Sequence, residues 1–361
     1  MKTVVIFQGG GPLGAFGCGA WQVVAAWLHE QGHELTAVAG ASIGALNAAT
    51  VACHAEDADL GAAAVERLWR RDIAVPMPGV PGAPRMGDEA RAWAGWWQGF
   101  ALGNRALFSP LYAHWHPLAG LRRASLPMYS QEPMRRLFGS IVGSGYFGRG
   151  LSAPLLAVAA TDVLTGELRI FHSDEAPIDA TVLCASAAIP LMFQPVPVGD
   201  RVYVDGEVNR RTATAGVIEA LHAGGRVGRR ERLQLVTIGQ FSRHADRLPR
   251  TSPELLDRSL HLLVADKLAD EPLPAGQRID ITRGPEPYES ISGQFDYSLP
   301  RIEALLEAGR AAASAALGRA PEPQQPLPAP AKARARPGVS GPAGRRGSGV
   351  NAAPAATPRR A

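Results

Sequence analysis

Short apolar runs alternate along this chain with segments that carry apolar residues at helical spacing. Residues 3–8, 35–39 and 154–162 are almost continuously apolar, which is typical of parallel strands covered on both faces. Between the first two runs, residues 16–28 repeat apolar side chains with helical periodicity and stop near Gly32. The pattern predicts an α/β protein, and 361 residues suffice for one large domain or two smaller ones.

Later segments add further elements of both kinds. The pattern predicts a helix over residues 56–78, a hairpin-like return strand over 167–172 and a helix of small residues over 181–188. Two short strands then frame residues 198–207.

The positive charge is concentrated near the C-terminal end. Residues 319–361 hold eight Lys or Arg and one acidic residue, Glu322, a net charge of +7. Because the whole chain carries +4, residues 1–318 carry −3. The segment is rich in Pro, Ala, Gly and Arg, so it is predicted to be a disordered basic tail after one folded domain at 1–318. A solvated tail is favoured over a dedicated nucleic-acid arm, and no specific nucleic-acid binding is expected.

Composition also predicts the compartment. No uninterrupted apolar run of about 18 residues occurs, so no membrane-spanning helix is expected. The first residues lead directly into glycines and indicate a strand instead of an export signal. Cys18, Cys53 and Cys184 are few and scattered, which argues against a disulfide framework. We expect a cytoplasmic protein whose contact with a membrane surface is transient and peripheral.

The sequence from Gly40 to Gly44 reads G-x-S-x-G and lies between a strand-like run and an alanine-rich helical run. In that setting the serine occupies a tight strand-to-helix turn, and side chains at the glycine positions would collide with neighbouring backbone. Ser42 is therefore the candidate nucleophile. A plain structural turn is the alternative for this pattern taken alone.

A second glycine-rich loop, Gly9 to Gly14, follows the first predicted strand. Its amides suit a negative group, because they stand at the start of a helix. A dinucleotide phosphate would need an acidic residue at the tip of the second strand, and that strand ends in Gly40. An oxyanion formed during acyl transfer is the favoured occupant, with Gly10 and Gly11 as amide donors.

Two further features carry candidate chemistry. Asp205 follows an apolar strand and precedes Gly206, so it can protrude into a cleft, although an Asp-Gly pair is often an ordinary turn. Tryptophans concentrate between Trp93 and Trp115, within an insertion at about 80–130. This segment is either a lid or acyl-chain site, or a helical cap that packs on the domain. His114 and His116 flank Trp115 but do not form a metal signature.

Together these motifs resemble the patatin-like phospholipase family. The resemblance spans about residues 4–210 and includes the glycine loop, the serine turn, the Ala185 to Pro190 run and Asp205-Gly206. It implies a three-layer α/β/α fold with a mostly parallel central sheet. A strand at 233–238 and a last helix at 299–317 would complete the domain.

The resemblance also implies a serine lipid acyl hydrolase acting on carboxylic esters of lipids. Ser42 and Asp205 would form a two-residue dyad without a histidine. The oxyanion hole would use backbone N–H groups, and further glycines would support the turns. The oxyanion donors would be Gly9, Gly10, Gly11 and Ile43; the supporting glycines would be Gly14, Gly40, Gly44 and Gly206. This chemistry requires no metal or cofactor.

Two positions depart from the family pattern. Leu13 stands where members often carry Arg, and Glu207 stands where they usually carry Gly or Ala. A carboxylate two residues from Asp205 would repel it unless the Glu207 side chain points to solvent.

Three alternatives stay open at this point. An α/β-hydrolase would add a histidine from among His222, His244 and His261. A non-hydrolytic acyltransferase would use the same site. A catalytically silent lipid-binding protein is suggested by Leu13 and Glu207.

Overall fold

A computed structural model gives the arrangement of the chain. It describes residues 1–77, 87–111, 127–147, 153–242, 276–284 and 295–319, together with isolated positions between 244 and 264. The chain forms two units, Met1–Pro321 and Glu322–Ala361, and the described residues all belong to the first. The predicted basic tail therefore lies outside the described residues, apart from Arg319.

Ten strands occur in the described residues. They are β1 (Lys2–Phe7), β2 (Glu34–Ala41), β3 (Ser109–Pro110), β4 (Tyr129–Ser130), β5 (Leu155–Asp162), β6 (Leu168–His172), β7 (Val196–Val198), β8 (Arg201–Asp205), β9 (Leu233–Gly239) and β10 (Gly276–Thr282). Strands β3 and β4 form a small antiparallel pair of their own. The other eight form one sheet in the order β10-β9-β1-β2-β5-β8-β7, with β6 also paired to β5.

The central sheet is parallel from β10 to β5 and antiparallel where β6, β7 and β8 join. The predicted strands near residues 3, 35, 154, 167 and 233 are all present, each within two residues of its expected start. A mostly parallel central sheet is thus confirmed.

Eight α-helices occur in the described residues. They are α1 (Gly14–Glu30), α2 (Ile43–Cys53), α3 (Ala58–Arg67), α4 (Asp88–Leu102), α5 (Glu132–Val142), α6 (Ala180–Ser186), α7 (Thr214–Ala223) and α8 (Leu299–Ala316). The helix expected over 56–78 is shorter, because α3 passes into a π-helical turn at Leu68–Ile73. No helix in the described part of the chain has the length and apolarity needed to cross a bilayer.

The two faces of the sheet pack against different helices. Val5 and Phe7 of β1 belong to a large core with α1, α2 and α8. Their neighbours Val4 and Ile6 point the other way, into a smaller core closed by α7. This alternation follows from the period of two along a strand, and it confirms the three-layer α/β/α arrangement.

Helices α1 and α8 approach each other through glycines. A Cβ placed on Gly19 would lie 1.9 Å from the carbonyl oxygen of Leu306, and one on Gly309 would lie 2.1 Å from that of Phe16. No side chain fits at either position. The start of α1, and with it the glycine loop, is therefore held against the last helix of the domain.

The tryptophan-rich segment is described only in part. Helix α4 rests on the backbone of Phe295 through Gly99, where a Cβ would lie 1.9 Å from the Phe295 oxygen. Trp93 and Trp97 on this helix are 44% and 55% exposed, whereas Trp115 lies outside the described residues. Contact of these tryptophans with a membrane surface stays a prediction.

Candidate active site

Ser42 occupies a strained turn between β2 and α2. Its backbone has φ 54° and ψ −132°, a region that non-glycine residues enter only where the surroundings impose it. A Cβ on Gly40 would lie 2.4 Å from the carbonyl carbon of Gly44, and one on Gly44 would lie 2.3 Å from the oxygen of Phe7. The two glycines let β1, β2 and α2 come this close, and the serine is pushed to the tip of the turn.

The serine turn is also held by Ser186, a residue whose role no sequence motif indicates. The backbone N–H of Ser42 donates to the carbonyl oxygen of Ser186 (3.1 Å) and to its hydroxyl (3.0 Å). The same hydroxyl donates to the carbonyl oxygen of Ala159 on β5 (2.7 Å). Ser186 is fully buried, so the Ala185 to Pro190 run acts as a support beneath the candidate nucleophile.

The glycine loop lies beside this turn. Gly10 and Gly11 have φ values of 146° and 56°, conformations that favour glycine. They lead into a short 3-10 turn, Gly11–Leu13, that continues as α1. The first N–H groups of such a run have no partner inside it and carry a positive partial charge. Gly9 packs against the serine, since a Cβ placed on Gly9 would lie 2.7 Å from Ser42 Cβ.

An asparagine inside α2 ties the starts of the two helices together. The side-chain amide of Asn47 donates to the carbonyl oxygen of Gly14 (2.8 Å) and accepts from the indole N–H of Trp69 (2.8 Å). Asn47 is fully buried. A buried amide with both groups satisfied fixes orientation strongly, so it keeps the glycine loop in register with the serine turn. An asparagine in an alanine-rich helix was the available sequence signal.

Asp205 ends β8, and β5 lies between β8 and the strand β2 that leads into Ser42. Asp205 pairs with Ala160 of β5, and the preceding residue, Ala159, pairs with Ala41 of β2. Ser42 and Asp205 therefore flank the same point of β5, at a backbone separation of roughly 10 Å, or two interstrand spacings. Asp205 is 2% exposed.

Glu207 turns toward the glycine loop and not away from the site. Its carboxylate Oε1 accepts the backbone N–H of Gly9 (2.7 Å), and its own N–H donates to Asp205 Oδ1 (2.8 Å). Of the amides proposed for the oxyanion hole, that of Gly9 is thus engaged. Leu13, the other departure, is fully buried in the core.

Two of the cysteines, Cys53 and Cys184, are poor nucleophiles at neutral pH. Burial raises the pKa of Cys184, on α6, to about 12 and that of Cys53, at the end of α2, to about 11. Both are therefore protonated at neutral pH, and a thiol is a much weaker nucleophile than a thiolate.

The arrangement of glycine loop, serine turn and aspartate strand fits the match of the chain to a family model, that of the patatin-like phospholipases, over residues 5–222. The chain belongs to the patatin-like phospholipase family. The matched region contains Gly9, Ser42 and Asp205 and ends inside α7. Membership of the patatin-like phospholipases supports a lipid-hydrolase function.

Solved structures show more distant likeness to this patatin-like chain. VipD from Legionella pneumophila is 14% identical with a TM-score of 0.37, and the match covers 88% of this chain and 66% of VipD. The ExoU–SpcU complex from the type III secretion system of Pseudomonas aeruginosa gives 14% identity and a TM-score of 0.33, covering 88% of this chain and 51% of that one. The chain thus spans between half and two thirds of these proteins. No protein with a curated description matches it.

Among the candidate histidines in the described part of the chain, His222 lies away from the patatin-like site. His222 lies near the end of α7, and its Nδ1 contacts the carbonyl oxygen of Val227 (3.0 Å). The carbonyl oxygen of Arg226, next to Val227, accepts from Lys2 at the start of β1. His222 is therefore near the amino ends of the parallel strands, whereas Ser42 follows the carboxyl end of β2. His244 is exposed, and His261 lies outside the described residues.

Proposed function

We propose that this protein hydrolyses carboxylic esters of lipids through an acyl-enzyme, with Ser42 as nucleophile and Asp205 as general base. One observation carries the proposal. The serine occupies a strained turn that directly contacts the glycine loop, and the aspartate faces the same point of β5 from the other side. The proposed nucleophile, amide donors and base thus lie together at one end of the central strands, as acyl transfer requires.

The reaction proceeds in two steps. Ser42 Oγ attacks the ester carbonyl while its proton passes to the Asp205 carboxylate, directly or through one water. The negative oxygen of the tetrahedral intermediate is held by backbone N–H groups of the glycine loop, Gly10 and Gly11, and by that of Ile43 at the start of α2. Collapse expels the alcohol, which takes the proton from Asp205 and leaves acyl-Ser42.

Deacylation repeats the chemistry with water as nucleophile. Asp205 accepts a proton from the water as it attacks acyl-Ser42, and the proton returns to Ser42 Oγ when the fatty acid leaves. The hydrogen bond from the Glu207 N–H to Asp205 Oδ1 fixes the orientation of the carboxylate through both steps.

Substitution of the two proposed catalytic residues tests this function. We expect Ser42→Ala and Asp205→Asn each to reduce hydrolysis of a medium-chain p-nitrophenyl ester, and of a lipid panel, by three orders of magnitude or more. Matched controls are Ser140→Ala on the exposed side of α5 and Asp200→Asn in the turn before β8, both on exposed residues. Retention of most activity in either site variant refutes the dyad.

A further inference from the structure

Glu207 connects two motifs that are far apart in the sequence. Its carboxylate accepts the N–H of Gly9, 198 positions away, and its backbone N–H donates to Asp205. The side chain is half-buried, so it does not extend into bulk solvent. It reaches across the candidate active site.

The carboxylate is immediately beside the nucleophile. The point where a Cβ on Gly9 would lie is 2.7 Å from Ser42 Cβ and also 2.7 Å from Glu207 Cγ. These two carbons are therefore no more than twice that distance apart. A carbonyl attacked by Ser42 must come within about 3.5 Å of its hydroxyl, so the groups bonded to that carbonyl are placed a few ångströms from Glu207.

The charge of this neighbour disfavours a second anion. Two like charges a few ångströms apart at a partly buried site repel strongly, and such contacts are a common means of rejecting the wrong ligand. The carboxylate of Asp205, which is buried, adds to the negative potential. Arg211 lines the same small cavity as Glu207, but it is exposed, so solvent and salt screen its charge.

We propose that Glu207 is a specificity residue that rejects esters with an anionic group next to the scissile carbonyl. The preferred substrates are then uncharged acyl esters of the acylglycerol type, and phospholipids with a net negative headgroup are disfavoured. This inference rests on the proposed function of Ser42. It differs from a merely structural role for Glu207, which would not depend on the charge of the substrate.

A matched pair of lipids tests the inference. Dilauroylglycerol and dilauroylphosphatidic acid have the same acyl chains and differ only in the phosphate. Presented in micelles of a neutral detergent, they are compared by fatty-acid release and kcat/KM with wild-type protein and with Glu207→Gln. The glutamine keeps an acceptor oxygen for Gly9 and removes the charge. We expect its preference for diacylglycerol over phosphatidate to fall at least tenfold, through faster hydrolysis of phosphatidate.

Three further variants distinguish failure of this inference from failure of the proposed function. Glu219→Gln removes an exposed carboxylate on α7 and is expected to keep the wild-type preference. Ser42→Ala is expected to hydrolyse neither lipid; activity in that variant overturns the proposed function and the inference with it. Glu207→Ala removes both charge and acceptor and is expected to lose preference as Glu207→Gln does.

The inference alone fails under two results. One is a preference in folded Glu207→Gln within twofold of wild type, while Ser42→Ala is inactive. The other is loss of diacylglycerol hydrolysis in Glu207→Gln with an unchanged melting temperature, because the carboxylate would then be needed for turnover itself.

Discussion

The Ser42 turn and the α1–α8 interface are both built on glycines, yet their backbones are in different states. At the interface, Gly19 and Gly309 are inside regular helices, and their missing side chains allow carbonyl oxygens to approach. At the turn, Gly40 and Gly44 allow the same closeness, but the residue between them has φ 54°. One region uses contact to gain stability, whereas the other uses it to hold a non-glycine residue in a strained conformation.

This difference separates stability from function. A change at the helix interface should alter the free energy of unfolding and leave the remaining folded molecules active. A change at the turn should alter the chemistry, and relief of its strain should even stabilise the protein. The four substitutions below examine this separation.

The largest effect on stability is expected for Gly44→Ala, which disturbs the catalytic geometry as well. Its Cβ would lie 2.3 Å from the Phe7 oxygen and 2.9 Å from the Gln8 carbonyl, so β1 and the turn must shift apart. We expect a loss of about 3 kcal/mol in the free energy of unfolding and about a hundredfold loss in kcat/KM, because the nucleophile moves relative to the amides. Denaturant unfolding measures the stability and ester hydrolysis measures kcat/KM. A variant with wild-type stability and activity would contradict the claim that the turn needs glycine at position 44 for steric reasons.

Gly309→Ala is expected to reduce stability alone. The new Cβ would lie 2.1 Å from the Phe16 oxygen, and overpacking of this kind costs about 2–3 kcal/mol. Activity per folded molecule should stay within about twofold of wild type. The matched control is Gly139→Ala in α5, where nothing lies within 4 Å of the added Cβ. At that position the better helix propensity of alanine should raise the free energy of unfolding by about 0.5–1 kcal/mol. Equal effects at the two sites would contradict the packing argument.

Ser42→Gly is expected to stabilise the inactive protein. Glycine adopts φ 54° without the strain of a Cβ, which is worth about 1–3 kcal/mol, and part of that gain is offset by the greater freedom of glycine in the unfolded chain. We expect a net gain of about 1 kcal/mol in the free energy of unfolding over Ser42→Ala, which keeps the Cβ. Both variants should be inactive. A glycine variant less stable than the alanine variant would show that the turn is not strained.

The sequence predicted the local parts of this site well. The turn at Ser42, the glycine loop and the strand ending in Asp205 each depend on neighbouring residues, such as Gly40 and Gly206, so their positions can be read from short stretches. The three-layer fold followed from the resemblance that these motifs carry. Strand ends agree within a few residues for the same reason.

Contacts between distant residues could not be predicted in this way. The carboxylate of Glu207 meets Gly9, and the hydroxyl of Ser186 supports Ser42, each pair being more than 140 positions apart. Helix α3 passes at Leu68 into a π-helical turn, and Trp69 in that turn donates its indole N–H to Asn47; periodicity alone predicted a single helix to residue 78. Helix α7 was missed although Val217 and Leu221 show its buried face.

The smallest effect on activity is expected for His222→Ala, which extends the comparison to the opposite end of the central strands. A serine enzyme that depends on a histidine base loses several orders of magnitude in rate without it. Here the His222 ring contacts the Val227 oxygen, so we expect kcat/KM within about twofold of wild type and a loss of about 1 kcal/mol in stability from the missing contact. His244→Ala tests the other candidate histidine within the described residues, and it is expected to leave kcat/KM within the same range. A fall of three orders of magnitude or more in either variant, with an unchanged melting temperature, would replace the proposed dyad by a triad, because loss of a general base has an effect of that size.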